Sequence, residues 1–134
     1  MLNTRSEPST CLNNMEGLFT LKNTPAIGST ESEVVVGINA SHGIFAGHFP
    51  DQPVLPGVCM VQIAITIAGA MHGKALRVVN ARTMKFLAPV DPNKTPELLY
   101  RTTLTPLEGA VKAEVQATAE GASVVKLSLE LVAE

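Results

Sequence analysis

Residues 52–73 read QPVLPGVCMVQIAITIAGAMHG. None of these 22 positions carries Asp, Glu, Lys or Arg, although the 134-residue chain has 10 basic and 12 acidic residues elsewhere. A membrane-crossing helix needs about 20 consecutive apolar residues. This window is interrupted by Pro53, Pro56, Gly57, Gln62, Thr66, Gly69 and Gly73. It also lacks the basic and aromatic flanks that anchor a span. Pro56 suits a first helical position, whose N–H has no partner in any case, and Lys74 follows near the negative end of the dipole. A helix starting there has only about 16 residues, too short to cross and apolar nearly all round. It is therefore expected as a buried core helix, with no membrane span.

The rest of the composition agrees. Net charge is −2, so the basic footprint of a nucleic-acid binder is absent. Apolar residues are 46% of the chain, enough to offset the entropy of ordering a single domain. MLNTRSEPST at the start has no apolar run of the secretory kind. Cys11 and Cys59 are too few for a disulfide framework, and a cytoplasmic location is the expectation.

Outward from the helix, the chain reads as strands. Residues 1–16 are polar and are expected as a flexible arm, with one domain over 17–134. Residues 17–23 form a short strand candidate before a Pro25/Gly28 turn. Val34, Val36, Ile38 and Ala40 share one face of Ser32–Ala40. After the helix, Arg77–Val90 alternates, closed by Pro89 and Asp91-Pro92-Asn93. Leu98–Leu104 follows. Ala110–Glu120 alternates Val111, Ala113, Val115, Ala117 and Ala119 against polar partners, and Val125, Leu127, Leu129 and Leu131 repeat this after Glu120-Gly121. The expectation is α+β: about six antiparallel strands with one wet face, wrapped around the helix. A second subunit is expected to cover part of the helix.

Chemistry concentrates in His42–Val58. His48 lies in a Gly/Pro-rich loop running into the helix, and imidazole is the usual base near neutral pH. A helix N-terminus offers unpaired N–H groups and a positive dipole end to an oxygen gaining negative charge. Gly57 leaves the backbone there open to close approach. Together these suit proton abstraction beside a carbonyl. Taken alone, the run also reads as a stiff loop with His48 a hydrogen-bonded loop residue.

The run GHFP-x-x-PVLPGV (residues 47–58), followed by an apolar helix, resembles the hotdog-fold bacterial (3R)-hydroxyacyl-acyl-carrier-protein dehydratases. KFLAPVDP, Lys85–Pro92, is similar to the strand that follows the helix in that family. The resemblance implies a hotdog fold and, for His48, the role of base at C2 of a 3-hydroxyacyl thioester. The Val54 carbonyl would orient the ring, and the Gly57 N–H would bind the thioester carbonyl. Val58 and Thr66 are further expected substrate contacts. The family places an acid 14 positions after the histidine, supplied across a homodimer. This chain has Gln62 there, and Thr66 where a glutamine is usual. An amide can donate and accept hydrogen bonds but cannot deliver a proton as an acid does.

The function expected is thus 3-hydroxyacyl thioester dehydration, on acyl carrier protein or coenzyme A, with Gln62 as a hydrogen-bonding stand-in for the acid and activity reduced or altered. Thioester hydrolysis is one alternative, and a non-catalytic thioester-binding protein or partner subunit is another. His42 reads as a loop residue, His72 as a helix-end residue, Cys59 as a small core residue and Asp51 as a turn residue. No cofactor is expected, and these cysteines and histidines fit no zinc spacing.

Overall fold

The computed structural model describes residues 16–45 and 53–134. The expected arm, apart from Glu16, and residues 46–52 with His48 and Asp51 lie outside the described residues. The elements are β1 (Phe19–Leu21), β2 (Glu31–Ile38), a 3-10 turn (Gly43–Phe45), α1 (Gly57–His72), β3 (Leu76–Phe86), β4 (Glu97–Leu107), β5 (Ala110–Ala119) and β6 (Ala122–Ala133). The strands form one sheet in the order β1-β2-β4-β5-β6-β3, all pairs antiparallel. β1 pairs with its chain neighbour β2, β3 crosses to the far edge beside β6, and β4–β5–β6 follow chain order. Their hairpins are tight, and the Glu120-Gly121 turn takes the two positive φ angles, 52° and 87°, of a two-residue hairpin.

Alternation builds the core. Val34, Val36, Leu98, Tyr100, Ala113, Val115, Leu127 and Leu129 are buried on the sheet, against Cys59, Met60, Ile63, Ala64, Ile67, Ala68 and Met71 of α1. Each such aliphatic side chain stabilises the fold by about 1.5–3 kcal/mol relative to exposure. Tyr100 adds a polar tie, its hydroxyl donating to the Met60 carbonyl at 3.0 Å. The opposite face carries exposed ion pairs such as Arg101–Glu33 and Lys112–Glu114. Exposed pairs of this kind contribute little to stability.

Two expectations are corrected. The strict alternation read for Arg77–Val90 is interrupted, because β3 slips register against β6 between Val78 and Asn80 and again between Ala81 and Thr83. Each slip changes which face the next residues use. This edge strand consequently leaves Val79, Met84 and Phe86 exposed, and it ends at Phe86, ahead of Pro89.

The helix also differs. Pro56 caps it with an extended ψ of 147° and does not enter it. Nor is α1 buried all round. Val58, Gln62, Ile65, Thr66, Gly69 and Ala70 are exposed or half-buried. At spacings of three and four they form one face. Gly73 ends the helix in the left-handed region at φ 82°, its N–H donating to Gly69 at 2.8 Å. The helix is 16 residues long, and among the described residues none is long and apolar enough to cross a membrane.

Candidate active site

The segment entering α1 is tied to the end of the β3 connection by Leu55 N–H donating to the Val90 carbonyl at 2.9 Å. The first helical bonds are donated by Cys59 and Met60, both to the Pro56 carbonyl, at 3.0 and 3.2 Å. Gly57 and Val58 precede them, so their N–H groups have no intrahelical acceptor. Pro56 offers no side-chain cap. Gly57 is half-buried and Val58 is 61% exposed. Two donors at the positive end of an uncapped helix suit a carbonyl oxygen that gains charge. Val54, half-buried, precedes Leu55 on the same approach.

Phe86 closes the other side. A Cβ placed on Gly57 would lie 3.0 Å from two atoms of its ring, so glycine is what allows the ring to rest on the helix start. Sequence reading quoted Phe86 within KFLAPVDP without giving it a role. Nothing in the strand's period marks it, because the contact joins two segments about 30 positions apart.

Gln62 and Thr66 face a groove of about 600 Å³ that follows the uncovered stripe of α1, with Pro25 and Ile27 on its opposite wall. Thr66 spends its hydroxyl proton on the Gln62 carbonyl at 2.9 Å, so it faces the groove as an acceptor. The groove is otherwise mostly apolar, lined by Ile65, Gly69 and Ala70. Gly57, Val58, Gln62 and Thr66 are thus on one helix, with the last two in the groove. His48 lies outside the described residues.

The other candidates have ordinary places. His42 Nδ1 accepts from the Ile44 N–H at 3.0 Å, which puts the proton on Nε2, 2.9 Å from the Glu16 carbonyl. Both ring nitrogens are engaged with backbone, making His42 a loop fastener. His72 is exposed in the last turn, and the backbone cap is supplied by Gly73. Cys59 is buried beside Tyr100, whose hydroxyl is held well above its usual pKa, first by burial and then by Cys59. Among the described residues, no three His, Cys, Asp or Glu side chains gather to hold a metal.

The profile described as "ApeI-like: ApeI dehydratase" matches residues 25–124. The chain belongs to the ApeI-like dehydratase family. It is 34% identical to the 3-hydroxyacyl-[acyl-carrier-protein] dehydratase FabZ of Listeria welshimeri, covering 65% of each chain. It is 31% identical to FabZ of Ruminiclostridium cellulolyticum, covering 65% of this chain and 66% of that one. The chain therefore spans about two thirds, and slightly less, of the length of these relatives.

Among solved structures it resembles the dehydratase heterocomplex ApeI:P from Xenorhabdus doucetiae, with a TM-score of 0.68 and 17% identity over 84% of this chain and 96% of that one. It also resembles a hypothetical thioesterase with coenzyme A from Streptococcus pneumoniae, with a TM-score of 0.62 and 10% identity over 96% and 97% of the two chains. These likenesses establish the α+β hotdog fold.

Proposed function

We propose that this ApeI-like family member acts on acyl thioesters as a 3-hydroxyacyl thioester dehydratase. His48 is the base at C2, the Gly57 N–H the donor to the thioester carbonyl, and Gln62 the group facing the departing hydroxyl. Val54, Val58 and Thr66 are the neighbouring contacts. The observation that carries this reading is the uncapped start of α1, whose Gly57 and Val58 donors sit on the helix that presents Gln62 and Thr66 to an apolar groove. The carrier is acyl carrier protein, in keeping with the FabZ relatives, or coenzyme A. In this reading the protein works in the cytoplasm and the domain extends over 17–134, behind an arm of 16 residues.

Assembly follows from the same surfaces. A homodimer would cover the open stripe of α1 and the exposed Val79 and Met84 of edge strand β3. It would also let Gln62 serve a neighbouring His48. A second reading is favoured by Gln62 itself. Without a carboxylate at that position, the chain would be the thioester-binding member of a pair whose partner supplies the acid. That the Xenorhabdus doucetiae neighbour is a dehydratase heterocomplex agrees with such pairing.

The experiment offers the purified protein a 3-hydroxyacyl and a trans-2-enoyl thioester and follows both interconversion and thiol release. Interconversion that disappears in His48→Ala supports dehydration. Thiol release alone supports the thioesterase alternative, and saturable binding with neither supports the partner subunit. Sedimentation at several concentrations tests the dimer.

A further inference from the structure

We infer that Phe86 is the substrate-facing wall of the thioester subsite, bounding the space in which the carbonyl meets the Gly57 N–H and keeping water out of it. The inference rests on the dehydratase reading above and adds to it a residue that shields the donor from solvent. In an α-helix both the Cα–Cβ bonds and the backbone N–H groups point toward the N-terminus. The ring atoms lying 3.0 Å from a Cβ built on Gly57 are therefore beside the Gly57 and Val58 donors, at the open end of α1. The ring occupies the volume that a side chain at position 57 would take.

Its position is fixed from behind. Phe86 is the last residue of β3, in register with Val125 of β6, and the next residue, Leu87, donates to the Val124 carbonyl at 2.8 Å. Yet the side chain is 49% exposed, and so is that of Leu87. An aromatic side chain held by its backbone, packed by one part on the helix start and open by the rest, borders the space beside the Gly57 donor in which the proposed thioester would lie. A hydrogen bond to a carbonyl strengthens as water is excluded around it, and transition-state charge benefits most. A smaller residue at position 86 leaves the donor in place and admits solvent.

The test compares the whole chain with Phe86→Leu and Phe86→Ala, using crotonyl and 3-hydroxybutyryl N-acetylcysteamine thioesters. Phe86→Ala is expected to lower kcat by about 10- to 100-fold, part of the loss seen when an oxyanion donor is deleted outright, with KM little changed. Phe86→Leu should recover part of that loss. Infrared spectra of the bound thioester, labelled with ¹³C at the carbonyl, give a readout that a merely structural role would leave alone. The C=O stretch should fall on binding to wild type, fall less with Phe86→Leu and least with Phe86→Ala. Wild-type kcat and carbonyl shift in folded Phe86→Ala, or in Phe86→Leu where the alanine variant does not fold, overturn the inference and leave the dehydratase reading standing. A wild-type protein that neither binds nor converts either thioester overturns the dehydratase reading and this inference with it.

Discussion

The Tyr100 hydroxyl reaches from the middle of β4 to the Met60 carbonyl on α1, 3.0 Å away, in a fully buried position. It ties the sheet core to the first half of the helix beside the candidate site, as the Ser32 hydroxyl ties β2 to the far end by donating to Met71 Sδ at 3.2 Å. Tyr100→Phe leaves the ring packing intact, and the Met60 carbonyl keeps its helical acceptor role, so the expected loss is about 1 kcal/mol in chemical denaturation. The hydroxyl's ionisation is displaced upward by burial. A raised pKa in the folded state means that stability is whole below the unfolded tyrosine value of about 10 and declines as pH rises above it. Tyr100→Phe should flatten that alkaline decline, measured by denaturation midpoints at a series of pH values.

Thr102, two residues along the same inward face, is 2% exposed, and its hydroxyl has no partner among the described residues. Thr102→Val removes an unsatisfied polar atom at nearly constant volume and should raise stability by about 1–2 kcal/mol. A lower melting temperature in the variant would show that the hydroxyl is satisfied in solution.

His42 fastens Glu16 to Ile44 through both ring nitrogens. His42→Ala should cost about 1–2 kcal/mol, the worth of two backbone-directed bonds in a half-buried place. Because neither nitrogen is available as a base, the variant should keep the wild-type shape of the pH–rate profile. A lost limb in that profile would assign His42 to the chemistry.

Gln62→Glu returns a group able to deliver a proton to the groove-facing side of α1. Where position 62 faces the departing hydroxyl, dehydration should rise toward the roughly 10²-fold that acid–base assistance contributes. No gain in a variant that folds and still binds thioester would take position 62 out of the site.

Gly57→Ala separates stability from turnover. Alanine exceeds glycine inside a helix by about 1 kcal/mol, which offsets the displacement of the Phe86 ring that its methyl requires. The melting temperature should change little while kcat falls, as steady-state kinetics on the purified variant would record.

Much of the architecture was legible because it rests on local periodicity. Alternation in Ala110–Ala119 and the Glu120-Gly121 turn located a hairpin, and the uncharged window located α1. What failed was long-range. The bulges of β3 leave no signature in Arg77–Val90, since alternating residue types cannot report where the ladder to β6 slips. That part of α1 would be left for a second subunit was expected, but which residues form that part was hidden, because Ile65, Gly69 and Ala70 are as apolar as the buried Ile63, Ala64 and Ile67. Composition does not tell a face that meets the sheet from one that awaits another surface. The site divided in the same way. Gly57 is named by its place at the helix start and Gln62 and Thr66 by the resemblance, whereas Phe86 depends on a contact between two separate segments.

The start of α1 has one further consequence. Proline at the cap offers no side-chain acceptor, so Gly57 and Val58 begin the helix ahead of its first internal bonds, those that Cys59 and Met60 make to the Pro56 carbonyl. That first turn should be among the first parts of the helix to open and close in solution, and any molecule that supplies an acceptor to Gly57 and Val58 completes it. Occupancy can then be read without turnover, as slowed amide hydrogen exchange over residues 57–60. A library of acyl thioesters could be ranked by that protection alone, even against a variant that performs no chemistry.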